Sequence, residues 1–342
     1  MRRKYFLYEL KNNLSRIIVF TVFASTLFMV GVISENRFYN SGSESSMIGW
    51  PTFILSVLIL IVPIMTFSFT KRKRSIDLFY SLPISKANLT FIKLLVGWII
   101  VCIPYTISFL LGVLMMSMTK SPTQIGYYFL FYGASLIIGA CIYLFVTFVF
   151  QQANTIIDGL ILIVMSSLVF MIVLASLDAS LNWNLGFYTL IPFYPIIHWA
   201  DVCDKLILYG ETPFLVNQPH HLYENIIDPI VGYSFTLLLG TGSLIGLYLQ
   251  AKNNVAEASE DLTTSWFGYR TQIPIYTICL LLLVRYSGVL VLHIIVVVLS
   301  IIMTMISKRT YKLHWKSWVM FGGYILVSGL LSIILNLFSS TY

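Results

Sequence analysis

Hydrophobic residues in this chain come in unbroken runs rather than in amphipathic stripes. Leu14 to Ile33 is apolar but for Arg16 and a few hydroxyls, and similar runs fill Trp50 to Thr70 and Leu94 to Met118, the latter holding Pro104. Gly126 to Phe150, Ile156 to Leu177 and Ile230 to Gln250 follow in the same style. A helix needs about 20 apolar residues to cross a bilayer core of about 30 Å. Strands of an outer-membrane barrel would alternate instead, residue by residue. The pattern therefore predicts six spanning helices, then three more at Ile273 to Val284, Val289 to Ile306 and Trp318 to Phe338. The seventh is short, since its stretch covers only about 18 Å at the helical rise.

Composition agrees with the pattern. Hydrophobic residues make up 58% of the 342 and charged residues only 10%, where a soluble domain carries about 25% charged. The mean hydropathy is +0.86. These values exclude the soluble-enzyme classes and predict an all-α polytopic membrane protein. The basic excess, +7, is a matter of topology, with a lipid bilayer rather than nucleic acid as its surroundings.

Charge placement tests the topology. With the N-terminus in the cytoplasm, the segments assigned there hold five cations at residues 1–16 and six at 71–93. Two more fall at 251–272 and four at 307–317, leaving only Arg37, Lys120, Lys205 and Arg285 outside. That is the asymmetry expected of short cytoplasmic loops. If residues 273–306 crossed once, Lys308, Arg309, Lys312 and Lys316 would move outside. A hairpin turning at Arg285-Tyr286-Ser287-Gly288 keeps them inside and gives nine spans; eight plus a re-entrant piece is the alternative.

Three segments outside the spans have character of their own. Residues 1–13 (MRRKYFLYELKNN) lack the small-residue cleavage site of a signal peptide. They read as an interfacial elbow helix with Tyr5, Phe6, Tyr8 and Leu10 on an apolar surface, the alternative being a disordered basic tail. The external excursion 178–229 contains Leu185 to Ala200, apolar and aromatic with Pro192 and Pro195. That stretch cannot span but can dip into the interface as short re-entrant helices. Lys71 to Lys93 (KRKRSIDLFYSLPISKANLTFIK) opens on four cations and continues into exposed aromatics that a simple connecting loop does not need. It fits docking onto a soluble partner, or lying on anionic lipid.

Chemistry-bearing motifs are scarce. There is no G-x-x-x-x-G-K-[ST] phosphate loop and no H-E-x-x-H, so nucleotide hydrolysis or zinc proteolysis by those routes is unsupported. No catalytic, cofactor-binding or metal-ligating set is predicted, and the chain is not read as an enzyme. His220-His221 near Cys203 and Asp204 can be drawn as an external metal site, but adjacent residues on a loop are a weak pattern. Cys102, Cys141 and Cys279 lie within spans as small apolar groups. Ionisable residues within spans mark ion paths, and here they are nearly lacking. Asp158 falls at the cytoplasmic end of the fifth span, where it reads as a solvated cap for that helix's first amides. His293 lies one turn into the eighth and reads as a packing hydrogen bond. This scarcity argues against an ion-coupled transporter and for an external energy source.

The wording of the basic loop resembles that of ABC-2-type permeases, the membrane subunits of ABC exporters. There, an acidic residue, two or three apolar ones and S-L-P-I-S-[RK] form the cytoplasmic loop between spans two and three. In this chain Asp77 takes the acidic place, and Leu78, Phe79 and Tyr80 the apolar ones. Ser81, Leu82, Pro83 and Ile84 follow, with Lys86 where arginine is more usual and Lys93 at the cation that opens span three. A softer match is A-K-N-N-V-A-E-A-S-E: Glu257 falls on the family's glutamate, with Glu260 beside it, while Ala258-Ser259 departs from the T-A-G wording.

The resemblance implies a six-span core at 14–250 with its coupling loop at 71–93, followed by a three-span extension at 251–342. It also implies a separate cytoplasmic ATPase carrying ATP and magnesium, a second permease copy or paralogue, and export of a hydrophobic or amphipathic substrate. The K-R-T-Y-K-L-H-W-K loop further resembles a Gram-positive, Ytr-like subgroup associated with acetoin use or cell-wall-antibiotic responses, which implies a plasma-membrane location. Two other readings stay open. One is an ATP-independent secondary transporter or channel; the other is a non-transporting sensor or assembly scaffold.

Overall fold

A computed structural model describes residues 2–40, 48–71, 85–117, 125–181, 191–209, 222–253, 267–287, 290–310 and 312–339. Those residues form helices and no strand. They are α1 (Arg2–Asn12), α2 (Leu14–Asn40), α3 (Gly49–Phe67) with a 3-10 turn at Ser68–Lys71, α4 (Lys86–Ser117), α5 (Ile125–Gln152) and α6 (Ile156–Leu181). After these come α7 (Tyr194–Tyr209), α8 (Leu222–Asn253), α9 (Tyr269–Ser287), α10 (Leu290–Lys308) and α11 (Trp315–Ser339). Eight of them are long and apolar enough to cross a membrane, and Tyr269–Val284 is a shorter apolar helix.

Helix boundaries depart from the hydropathy reading: α2 runs on to Asn40 and α8 starts at Leu222 rather than Ile230, and three further departures have a local reason. α4 begins at Lys86, eight residues before Leu94, because helix formers continue outward past the apolar run. Lys93 is therefore two turns inside the helix instead of opening it. α9 covers 19 residues rather than the twelve of the apolar count, because polar Tyr269 to Gln272 belong to it. At the helical rise that is about 28 Å, close to a full hydrocarbon core. In the excursion between the fifth and sixth spans the helix starts at Tyr194 rather than Leu185, with Pro195 at its second position, where a missing N–H costs nothing. Residues 182–190 lie outside the described set.

The contacts divide the chain into two compact units, and the division does not follow chain order. One unit comprises Met1–Phe69, Arg74–Phe148 and Pro192–Val255; the other Thr70–Lys73, Val149–Ile191 and Ala256–Tyr342. The fifth span, α6, thus groups with the last three helices. In the first unit α4 is central and packs on α1, α2, α3 and α8. Pro104 does not end it. Against α5, the Tyr132 ring stacks on Phe109 at 4.8 Å and on Tyr105 at 5.6 Å. Tyr105 and Ser135 share a hydrogen bond of 2.8 Å, and Thr106 and Tyr132 one of 2.6 Å. These bonds satisfy hydroxyls that lipid could not. In the second unit α9 is central, packed on α6, α10 and α11.

Large apolar side chains cover the outer faces, with Leu238 and Leu326 each 70% exposed and Val164 61%. Such faces on the long helices suit lipid tails or another apolar protein surface rather than water.

Candidate functional site

The informative polar groups gather at helix ends. In the first unit, Glu9 on α1 and Lys93 on α4 form a buried ion pair of 3.1 Å. Tyr5 donates to the same Glu9 oxygen at 2.6 Å, and the Lys93 ammonium lies 4.4 Å from the centre of the Phe69 ring. Burial, with the Glu9 carboxylate beside it, holds the Tyr5 phenol well above its ordinary range, so it remains a donor. α1 is thus pinned to α4 by its one acidic residue, while Leu7 and Tyr8 stay outside. Tyr5, Phe6 and Leu10 are half-buried and Tyr8 is exposed, so the contact that fixes α1 to the bundle is this charge anchor.

In the second unit Lys71 ends the 3-10 turn and is buried. Its ammonium donates to the carbonyls of Gln151, at 3.2 Å, and Ala153. It also lies 5.3 Å from the Phe150 ring centre. The last carbonyls of a helix lack intrahelical partners, and a cation there also meets the negative end of the dipole. Lys71 thus caps α5 and is withdrawn from the basic run that Arg72, Lys73 and Arg74 continue. Phe150 packs where a Cβ on Gly159 would come within 2.6 Å, tightening the turn into α6.

Asp158 is buried rather than solvated. The cap of α6 is Thr155, whose hydroxyl accepts the Asp158 N–H at 3.2 Å, as an N-cap residue does. The Asp158 carboxylate accepts from the Tyr269 hydroxyl at 3.1 Å and pairs with Arg309 at 3.3 Å. One carboxylate therefore ties the starts of α6 and α9 to the end of α10. Arg309 has φ 49°, a left-handed backbone that glycine favours at this place. Its N–H donates to Ile306 and that of Thr310 to Met305, completing the α10 cap while the guanidinium reaches Asp158.

Geometry also bears on the stretch read as the seventh and eighth spans. Tyr269 opens α9 and Arg309 follows the last residue of α10, and both meet Asp158. α9 and α10 are consequently an antiparallel hairpin of equal length, 19 residues each. In the first unit the far ends meet as well: Trp50 packs against Gly31, and His198 of α7 shares a hydrogen bond of 2.9 Å with Tyr233 of α8. Every such pair joins segments that the charge count puts on one side.

Of the residues singled out in the sequence, Asp77, Leu78, Phe79, Tyr80, Ser81, Leu82, Pro83 and Ile84 lie outside the described residues, as do Glu257, Glu260 and His220-His221. Lys86 is the exposed first residue of α4. Among the described residues no group of three His, Cys, Asp or Glu side chains is placed to hold a metal. Glu9 and Tyr269 carry no role in the sequence reading, and Lys71 and Arg309 enter it only as members of basic clusters, though an isolated acid in a basic amphipathic segment is a usable sign for Glu9.

These features define a polytopic α-helical membrane protein whose helix ends are locked by buried charges. No family model, curated protein or solved structure matches the chain.

Proposed function

We propose that this chain is the membrane-spanning permease subunit of an ABC-2-type exporter, driven by a separate ATPase that docks on the loop between α3 and α4. The observation that carries the reading is the loop itself: S-I-D-L-F-Y-S-L-P-I-S-K, set between two helices with anchored ends. Lys71 holds the near end to the α5–α6 turn. Lys93, beyond the far end, holds α4 to α1. Force delivered to a loop moves a helix only if the helix end is stiff, and buried cations held by a carboxylate or by helix-end carbonyls supply stiffness. Phe79, Tyr80 and Leu82 supply an aromatic and aliphatic anchor for a pocket on the ATPase, with Asp77 and the remaining cations orienting it.

Buried ionisable groups support an external energy source. Among the described residues the buried charges are Glu9, Lys71, Lys93 and Asp158, all within two turns or so of a helix end. None sits at the middle of a span, where a proton- or ion-coupled relay would place it. By resemblance the permease works in the plasma membrane as a pair with a second copy or a paralogue and exports a hydrophobic or amphipathic compound, with Glu257 and Glu260 in a second cytoplasmic contact. The test is affinity purification of the chain from its native membrane without crosslinking. A co-purifying protein with a phosphate loop and ATP hydrolysis is expected. Flux through the purified chain alone in liposomes, with no such partner, overturns the reading.

A further inference from the structure

A cavity of about 330 Å³ lies in the second unit among α9, α10 and α11. Its lining changes with depth. Arg270 at the start of α9, Lys308 at the end of α10 and Ser317 in the first turn of α11 form the polar end. A turn or more further in, Met320, Phe321 and Tyr324 make an apolar wall. Lys308 donates to Ser317 at 2.7 Å, which leaves two of its three N–H bonds for other acceptors. Neither Arg270 nor Lys308 makes an ion pair among the described residues. From Leu262 to Tyr342 the chain contains no Asp or Glu and six Lys and Arg. Asp158, the buried acid of this unit, is engaged by Tyr269 and Arg309.

Two cations above an apolar slot complement a single molecule that is anionic at one end and hydrocarbon at the other. A free phosphate would leave the wall of Phe321 and Tyr324 uncovered, and a neutral apolar compound would leave both cations without a counter-charge. We propose that the cavity holds one anionic phospholipid, its phosphate facing Arg270 and Lys308 and an acyl chain along Met320, Phe321 and Tyr324. The charge count puts this end in the cytoplasmic leaflet, where anionic lipids concentrate and basic pockets between helices capture their headgroups. The inference rests on the membrane fold and is independent of the ABC reading.

The test uses the full-length protein, delipidated in mild detergent. It is titrated with phosphatidylglycerol, with phosphatidylcholine of the same chains, or with inorganic phosphate, and native mass spectrometry counts what is retained. One phosphatidylglycerol per chain is expected, held roughly tenfold or more tightly than in R270Q/K308Q. R270K/K308R should keep it. Equal retention of phosphatidylcholine, or undiminished retention by R270Q/K308Q, overturns the proposal. So does protection against thermal unfolding by inorganic phosphate equal to that by phosphatidylglycerol. If R270Q/K308Q does not fold, the wild-type comparison of the two lipids decides alone.

Discussion

Lys71, Lys93 and Asp158 are each about 6% exposed, although hydropathy places all three at the water boundary. A charge withdrawn there must be paired or hydrogen-bonded, as Lys71 is by helix-end carbonyls. Breaking a buried pair by removing one partner costs about 3–5 kcal/mol, because the other charge stays buried. Lys93→Met should therefore lower stability in detergent by about 3 kcal/mol, with only Tyr5 of the described donors still serving Glu9. Adding Glu9→Gln should recover most of that loss. A double variant as unstable as the sum of the two singles would remove the pairing argument. Arg309 offers a finer test, since its side chain is 46% exposed and its backbone is left-handed. Arg309→Ala loses the guanidinium and keeps the strained φ, whereas Arg309→Gly relieves it. The glycine variant should melt higher than the alanine one, by about 1 kcal/mol of stability. The partners of these charges were not legible in the sequence, because Glu9 and Lys93, or Asp158 and Arg309, are far apart along the chain. What the sequence showed was that each sits beside an apolar run.

At the scale of elements, the spans could be read from run length alone, since hydrocarbon thickness imposes it. Their ends could not, because a helix continues past its apolar part at no penalty in water, as α4 does back to Lys86. The grouping of α6 with α9, α10 and α11 was likewise hidden, because hydropathy marks which helices meet lipid and not which meet each other. Close approach of helices in lipid needs small side chains. α8 buries Thr236, Ser243, Leu247 and Ala251 on one stripe, and a Cβ on Gly240 would come within 2.7 Å of the Cys141 Cβ and 2.9 Å of its Cα. Backbone cannot give way as a flexible side chain does. Gly240→Val should cost about 1–3 kcal/mol, read as a lower melting temperature, while Gly242→Val, in open space, should be close to neutral. Equal effects at the two glycines would contradict the packing of α8 on α5.

At the scale of the whole molecule, the hairpin of α9 and α10, if both helices cross, sets the parity of the topology. With it, the basic segment after α10 shares a side with the start of α9; without it, the positive-inside asymmetry is broken. A chain whose native cysteines are replaced, carrying Ser287→Cys or Lys312→Cys, should react with a membrane-impermeant maleimide on intact cells at 287 and only after permeabilisation at 312. Labelling of intact cells at 312 but not at 287 would mean that α9 does not cross.

The proposed docking of an ATPase on residues 77–84 rests on the wording of the loop, and it is the claim on which the functional account stands. Its most direct measurement is ATP hydrolysis by the co-purified complex in liposomes, compared between wild type, Phe79→Ala with Tyr80→Ala, and the lipid-facing control Leu238→Ala. The account predicts that the double variant inserts normally but loses the partner and its membrane-dependent hydrolysis, while the control keeps both. Hydrolysis and partner retention unchanged in the double variant would contradict it.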